Sequence, residues 1–286
     1  MKIFVTGMIG LGLVTGSGVR PVGQDVASGQ VASGQVASGQ MDGQSLIRMV
    51  ADRESDAANH RGRYMYLSVE RSERTNGHEW TERVAETGWG KVRYLLAEDG
   101  KPLTGERLSA ERARIEDEGK NPEIFKQSES GKMEDEQHAR QMMVLLPKAF
   151  LFDQPQREGD FWRVTYHPNP QYQPNGMEEK VLHGMSGSVL IDAKSIRTHA
   201  LEGKMPQDVS IGFGLLATIH AGSNFSTVRD HIDGYDWKTT LVHTDINGKA
   251  LFLKTVARKQ EAKHTEFKRI PDGVTVADAV KMVEAA

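Results

Sequence analysis

The sequence contains no cysteine, which excludes disulfides, thiolate catalysis, cysteine-ligated zinc and iron–sulfur clusters together. Aromatic residues are scarce at 7%, and no apolar run reaches the roughly 20 residues that a membrane-spanning helix needs. There is also no large excess of either charge, since 36 Lys and Arg stand against 39 Asp and Glu. We therefore expect no nucleic-acid partner. The 38% of hydrophobic residues among the 286 is ordinary for a packed globular protein.

The first 43 residues carry predictions about export. Lys2 precedes an uncharged segment at 3–14, and the small residues of 15–18 follow it. This order is typical of a secretory signal peptide, so we expect a signal at 1–18 and a periplasmic or secreted protein. A disordered tail, or a start codon placed too early, is the alternative. Three copies of Val-Ala-Ser-Gly-Gln at 26–40 predict a flexible linker over 19–43.

Hydrophobic spacing predicts four helices. Leu46, Ile47, Val50 and Ala51 form one apolar stripe over 43–58. The segment 104–118 has helical charge pairs and few apolar positions, which predicts a solvated helix within a charged insertion at 104–131. Acidic residues open a helix at 133–146 that Pro147 should end. A capping box at 275–278 predicts a helix within the C-terminal segment 271–286.

Strand-forming runs occupy most of the remaining chain. They lie at 63–70, 90–96, 161–166, 180–192, 196–202, 209–220, 225–232, 237–246 and 250–258. Asn247-Gly248 is the strongest hairpin signal between two of these runs. Consecutive strands with short turns predict an antiparallel sheet with one face covered by the helices, hence an α+β fold.

Catalytic motifs are weak. Residues 212–217 fit the letters of a dinucleotide fingerprint, but no helix can follow them. Residues 184–188 look like a nucleophile elbow with serine at the second glycine position. The histidines lie singly, although His167, His220 and His243 could converge in space. We therefore predict no enzyme, no catalytic residue, no metal and no cofactor, and keep a hydrolase as a remote alternative.

Several short sequence segments resemble those of a known family. They are Tyr166-His167-Pro168-Asn169-Pro170 and the segments 94–103, 146–152, 187–192 and 212–216. With the order of elements, they resemble uncharacterised secreted bacterial proteins near the outer-membrane lipoprotein-sorting (lipoprotein carrier-like) superfamily. The resemblance implies a domain at 44–270 in which a large curved antiparallel sheet, an open half-barrel, packs on two to three helices. The charged insertion at 104–131 departs from the compact carriers.

The resemblance also implies a function. We expect a non-catalytic extracytoplasmic protein that binds a lipid, an acyl chain or a lipidated envelope protein in the hollow face of the sheet. Such a protein would be a monomer with only peripheral membrane contact. The alternative is a structural or envelope-interaction protein whose core is filled. Candidate ligand contacts are the large apolar side chains Tyr64, Tyr66, Met142, Met143, Trp162, Tyr166, Phe213, Leu215 and Phe225. The same side chains could simply form the core.

Overall fold

The computed structural model describes residues 41–212, 216–250 and 254–286, without the side chains of 132–144, 250 and 254–256. Five helices lie in this part of the chain: α1 (Gly43–Ala58), α2 (Gly105–Lys120), α3 (Pro122–Ala149), α4 (Met177–His183) and α5 (Val276–Ala285). No helix within these ranges combines the length and the apolar character needed to cross a bilayer.

Fourteen strands of the described ranges form one unclosed antiparallel sheet, which confirms the predicted α+β class and curved sheet. The first seven are β1 (Arg63–Arg71), β2 (Glu79–Glu86), β3 (Lys91–Glu98), β4 (Lys101–Pro102), β5 (Phe150–Phe152), β6 (Gln156–Glu158) and β7 (Phe161–Pro168). The others are β8 (Ser186–Asp192), β9 (Arg197–Lys204), β10 (Val209–Ile211), β11 (Ala217–Ile219), β12 (Asn224–Asp233), β13 (Asp236–Ala250) and β14 (Lys254–Ile270).

The strand order is β4-β3-β2-β1-β14-β13-β12-β9-β8-β7-β5. Strand β6 also pairs with β7, and the β10–β11 hairpin adds to the end of β13. One row of paired residues crosses most of the sheet on what we call the inner face. It runs through Glu70, Ala262, Val242, Thr227, Leu201, Val189 and Val164, and all seven are buried.

The inner face is apolar where α1 and the end of α3 cover it. Leu46, Ile47 and Val50 of α1 pack with Leu146 of α3 and Val164 of β7 in a core cluster. Asp42 caps α1 by accepting a 2.8 Å hydrogen bond from the Ser45 amide, so the helix begins as its stripe predicts. Burial of each such aliphatic side chain contributes about 1.5–3 kcal/mol.

Helices α2 and α5 cover the opposite face at the β1–β3 end. Ile115 of α2 and Val280 of α5 pack on Ala85 and Val92, whose side chains alternate with those of the inner face. Ile115 is fully buried, so the expectation of a solvated helix at 104–118 is wrong at that position. The charged insertion is therefore part of the fold, although most of its helix is exposed.

Several local predictions differ from the structure, and the single strand run at 209–220 is two strands, β10 and β11. The Asn247-Gly248 turn is wrong, because both residues lie inside β13 and pair with β14. The strand at 180–192 begins only at Ser186, after α4. Helix α3 begins at Pro122, a residue favoured in a first helical turn, and it continues past Pro147 to Ala149.

Candidate functional site

A cleft of about 540 Å³ opens at the β1–β4 end of the sheet, between the inner face and helices α2 and α3. We call it the β3 cleft, because alternate residues of β3 form its floor. Its apolar lining is Trp80, Leu95, Leu103, Ala110 and Phe125. Its charged lining consists of Arg74, Lys91, Arg93, Arg107 and Arg114 with Glu82, Glu111, Glu118 and Glu129.

Arg74 holds the loop after β1 onto this floor. Its guanidinium donates to Glu82 at 2.9 and 2.6 Å and to Glu70 at 2.6 Å, and it lies 5.3 Å from the centre of the Trp80 ring. Ser72 donates a further 2.6 Å bond to Glu70. Burial alone raises the pKa of Glu70, but the charge and hydrogen bonds of Arg74 outweigh it and lower that pKa to about 2.

Side chains of α2 and α3 occupy the hydrogen-bonding edge of β3. Strand β4 pairs only with Ala97 and Glu98 of β3. Further along, the Leu95 amide donates to Glu111 at 2.8 Å and the Lys91 amide to Glu129 at 3.2 Å. The carbonyl of Arg93, between these two amides, accepts from the Arg114 guanidinium. These bonds satisfy the backbone groups that a further strand would otherwise pair.

The Arg93 guanidinium makes weaker contacts with carboxylates than the other arginines of the cleft. Its nearest anion is Glu82, with 3.6 Å between Nη1 and Oε2. Its Nε atom is buried and meets no hydrogen-bond acceptor within the described residues. The side chain is 19% exposed, so a largely desolvated guanidinium retains unused donors beside an open volume.

His264 lies on the inner face of β14, two strands from β2. The register pairs it with Ser68, and its ring centre is 5.1 Å from that of Tyr66. The Nδ1 atom is 2.9 Å from the Thr239 carbonyl, which fits an Nδ1–H donor. Burial lowers the pKa of His264 to about 4, so the ring is neutral near pH 7.

Two of the predicted contacts, Tyr64 and Tyr66, lie on β1. Tyr64 is 1% exposed, donates a 2.9 Å hydrogen bond to Asp236, and has the Lys238 ammonium 4.6 Å from its ring centre. Tyr66 stacks on Phe267 with 5.1 Å between ring centres. Both side chains are packed against neighbouring strands, and neither lines the β3 cleft.

Three other predicted contacts belong to the core cluster on the far half of the sheet. Tyr166 and Phe225 are buried there, and half-buried Trp162 packs against the cluster. The Tyr166 hydroxyl donates to the Glu202 carbonyl at 2.9 Å, and burial raises its pKa. Six strand spacings of about 4.8 Å separate β1 from β7 along the curved sheet, and neither Tyr64 nor Trp162 lines the β3 cleft.

Of the remaining candidates, Phe213 and Leu215 lie outside the described residues, and for Met142 and Met143 only the backbone of α3 is described. Of the histidines considered together, His167 lies on β7, His220 follows β11 and is 3.1 Å from Asp208, and His243 lies on β13. Within the described ranges, no group of three acidic or histidine side chains is placed to hold a metal ion.

The charged lining of the cleft is the part of this site that sequence reasoning missed. Glu82 and Glu86 share one face of β2, and Lys91 and Arg93 share the paired face of β3. Charges with a period of two in strand-forming runs normally indicate the solvent face of a sheet. The usable signal was that the intervening positions, such as Ala85 and Val92, are also apolar, which is typical of a strand buried on both faces.

Comparisons with known proteins add no relative. No protein-family model, no curated protein and no solved structure matches this chain. The resemblance to the carrier-like superfamily therefore stays a prediction from the sequence.

Proposed function

We propose that the protein is a non-catalytic, extracytoplasmic binding protein for an apolar ligand, such as a lipid, an acyl chain or the lipid of an envelope protein. The observation that carries the proposal is the β3 cleft, whose volume of about 540 Å³ lies in the usual range for small-molecule sites. Trp80, Leu95, Leu103 and Phe125 give it an apolar lining. Removing apolar area from water would supply affinity at about 25 cal/mol per Å².

Two ionisable groups beside the cleft, Glu70 and His264, have pKa values typical of structural residues. A general acid or base works best with a pKa near the working pH. Glu70 is held ionised by Arg74, with a pKa of about 2, and His264 is held neutral, with a pKa of about 4. Both groups keep one protonation state near neutral pH, as in a structural network.

The test is native mass spectrometry with lipid extraction, on protein purified from its exported compartment. We expect a stoichiometric co-purifying apolar molecule in the wild type. Ala110→Trp should fill the cleft and remove that molecule, because Ala110 is an exposed lining residue of α2. Ser109→Trp is the matched control, since Ser109 is exposed on the same helix and does not line the cleft. No bound molecule, together with no binding of added fatty acid, would contradict the proposal.

A second candidate is a structural or envelope-interaction protein that takes no small ligand. The burial of Tyr166 and Phe225 in one core cluster, with Trp162 packed against that cluster, favours it, because these predicted contacts are used in the core. The same mass spectrometry separates the two candidates. If no ligand is found, chemical crosslinking in intact cells should capture a partner at the protein surface.

Export and assembly state are separate parts of the proposal. We propose a periplasmic or secreted monomer with peripheral membrane contact, on the basis of the signal-like segment at 1–18. N-terminal sequencing of the protein from the exported fraction tests the signal peptide, and sedimentation at several concentrations tests the monomer. An uncleaved N-terminus in the cytoplasmic fraction would contradict export.

A further inference from the structure

The arginines of the β3 cleft differ in how fully their donors are used. Arg74 donates to two carboxylates, and Arg107 lies 2.7 Å from Glu98. Arg114 donates to Glu111 and to a second carboxylate on α2. Their guanidinium groups are therefore already neutralised by this chain.

Arg93 is the exception within the described part of the chain. Its single ion-pair contact, at 3.6 Å from Glu82, exceeds hydrogen-bonding distance, and its buried Nε has no acceptor. Buried donors are nearly always paired, and an arginine carries five of them in a planar fork. Protein atoms enclose Nε itself, so the donors that face an acceptor in the cleft are the terminal nitrogens, which lie beyond hydrogen-bonding distance of Glu82.

We infer that the β3 cleft binds a small amphipathic carboxylate whose anionic group is held by Arg93. This inference rests on the proposed function, since it concerns the same cleft and adds the head group of the ligand. A planar carboxylate matches the guanidinium fork with two parallel hydrogen bonds.

The charges around the cleft favour a ligand of low charge. Five cationic side chains line the cleft with four carboxylates, and Glu70 and Glu98, which pair with Arg74 and Arg107, bring the carboxylates to six. A monoanion adds one negative charge to this partly desolvated site, whereas a phosphate dianion would add two.

Apolar side chains beside Arg93 would contact the apolar part of the ligand. The side chain of Leu95 lies on the same face of β3 as that of Arg93, two residues along, and is buried at 7% exposure. Leu103 and Phe125, both buried, flank the same volume from the segments before and after α2. A chain bound at Arg93 would therefore lie over apolar side chains.

Octanoate, 1-octanol and octylammonium test the head group with a constant tail, by calorimetric titration of the whole protein. We expect octanoate to bind about tenfold more tightly than octanol, because charge-assisted hydrogen bonds form only with the carboxylate. Octylammonium should bind more weakly than either. Arg93→Gln should reduce octanoate affinity to that of octanol and leave octanol affinity unchanged.

The matched control is Arg163→Gln, which removes an arginine paired with Glu158 outside the cleft and should preserve the tenfold preference. Arg93→Lys retains the positive charge without the planar guanidinium and should give an intermediate preference for octanoate over octanol. This variant still tests the head group if the glutamine variant is unstable. Equal binding of octanoate and octanol to the wild type, or an unchanged preference in both Arg93 variants, would overturn the head-group inference alone. No binding of any of the three probes would contradict the proposed function as well.

Discussion

Replacing Glu54 by glutamine should destabilise the protein by roughly 3 kcal/mol at pH 7. Glu54 of α1 accepts hydrogen bonds from Arg197 at 3.0 Å, from Arg229 at 2.8 Å and from the Thr198 amide at 3.1 Å. Both arginine side chains are at most 10% exposed and Glu54 is 12% exposed. Removing one charge of a buried group of this kind costs about 3–5 kcal/mol, because the partner charges remain desolvated.

The pKa of Glu54 gives a second measure of the same interaction. Burial alone would raise this pKa, but Arg229 and Arg197 lower it from 4.5 to about 2. At 1.36 kcal/mol for each unit of pKa, that fall corresponds to roughly 3 kcal/mol of stabilisation. Because the folded pKa is lowered, the stabilisation is complete above about pH 4.5 and is lost as the pH falls towards 2.

The assay is urea unfolding of wild type and Glu54→Gln between pH 7 and pH 2. The difference in free energy of unfolding should be largest above pH 5 and should shrink as Glu54 of the wild type becomes protonated. Glu158→Gln is the matched control, since Glu158 pairs with Arg163 on the exposed side of the sheet and its loss should leave stability close to wild type. A difference below 1 kcal/mol at pH 7, or one independent of pH, would refute the reasoning.

Three further substitutions test other parts of the fold. Glu111→Ala frees the Leu95 amide on the β3 edge, so we expect concentration-dependent self-association in sedimentation velocity; an unchanged monomer would show that the edge needs no cover. Tyr166→Phe removes the hydrogen bond to the Glu202 carbonyl and should cost about 1 kcal/mol in urea unfolding, whereas a neutral result would mean that water replaces it. Gly187→Ala places a methyl group against the same Glu202 carbonyl and should cost about 3 kcal/mol or prevent folding; wild-type stability would contradict the close strand approach.

Helix α1 could be predicted to the residue because local signals agree there. The stripe of Leu46, Ile47 and Val50 has the helical period, and all three are buried. Asp42 provides the cap at the expected start. Helix α5 was predicted for the same reason, with Thr275 accepting from the Asp278 amide at 3.1 Å. Where period and cap coincide, tertiary contacts only confirm the local preference.

The Asn247-Gly248 prediction failed because a tertiary contact overrides the local preference. Gly248 lies where β11 crosses close to β13, and a Cβ atom there would press on the Thr218 carbonyl. The glycine therefore permits close strand packing instead of a turn. Its neighbour Asn247 donates its side chain to Asp245 within the same strand. A single sequence does not distinguish a glycine needed for a turn from one needed for space.

The charged cleft was not predicted because the inner face of the sheet is apolar at one end and charged at the other. On one row, Val164 and Val189 are apolar core while Glu70 belongs to an ion-pair network, although all three are buried. The alternation of apolar and polar residues within one strand indicates only whether a face of that strand is buried on average. The helices that cover the face differ from strand to strand. Helices α1 and α3 cover the β7–β9 part of the inner face with apolar side chains. At the β1–β4 end, Arg93 and Glu82 line a cleft, and charged residues of α2 and α3 form its wall beside the edge of β3. The insertion at 104–131 thus supplies a wall of the cleft on which the binding proposal rests, and its Ile115 and Phe125 also belong to the core cluster on the opposite face.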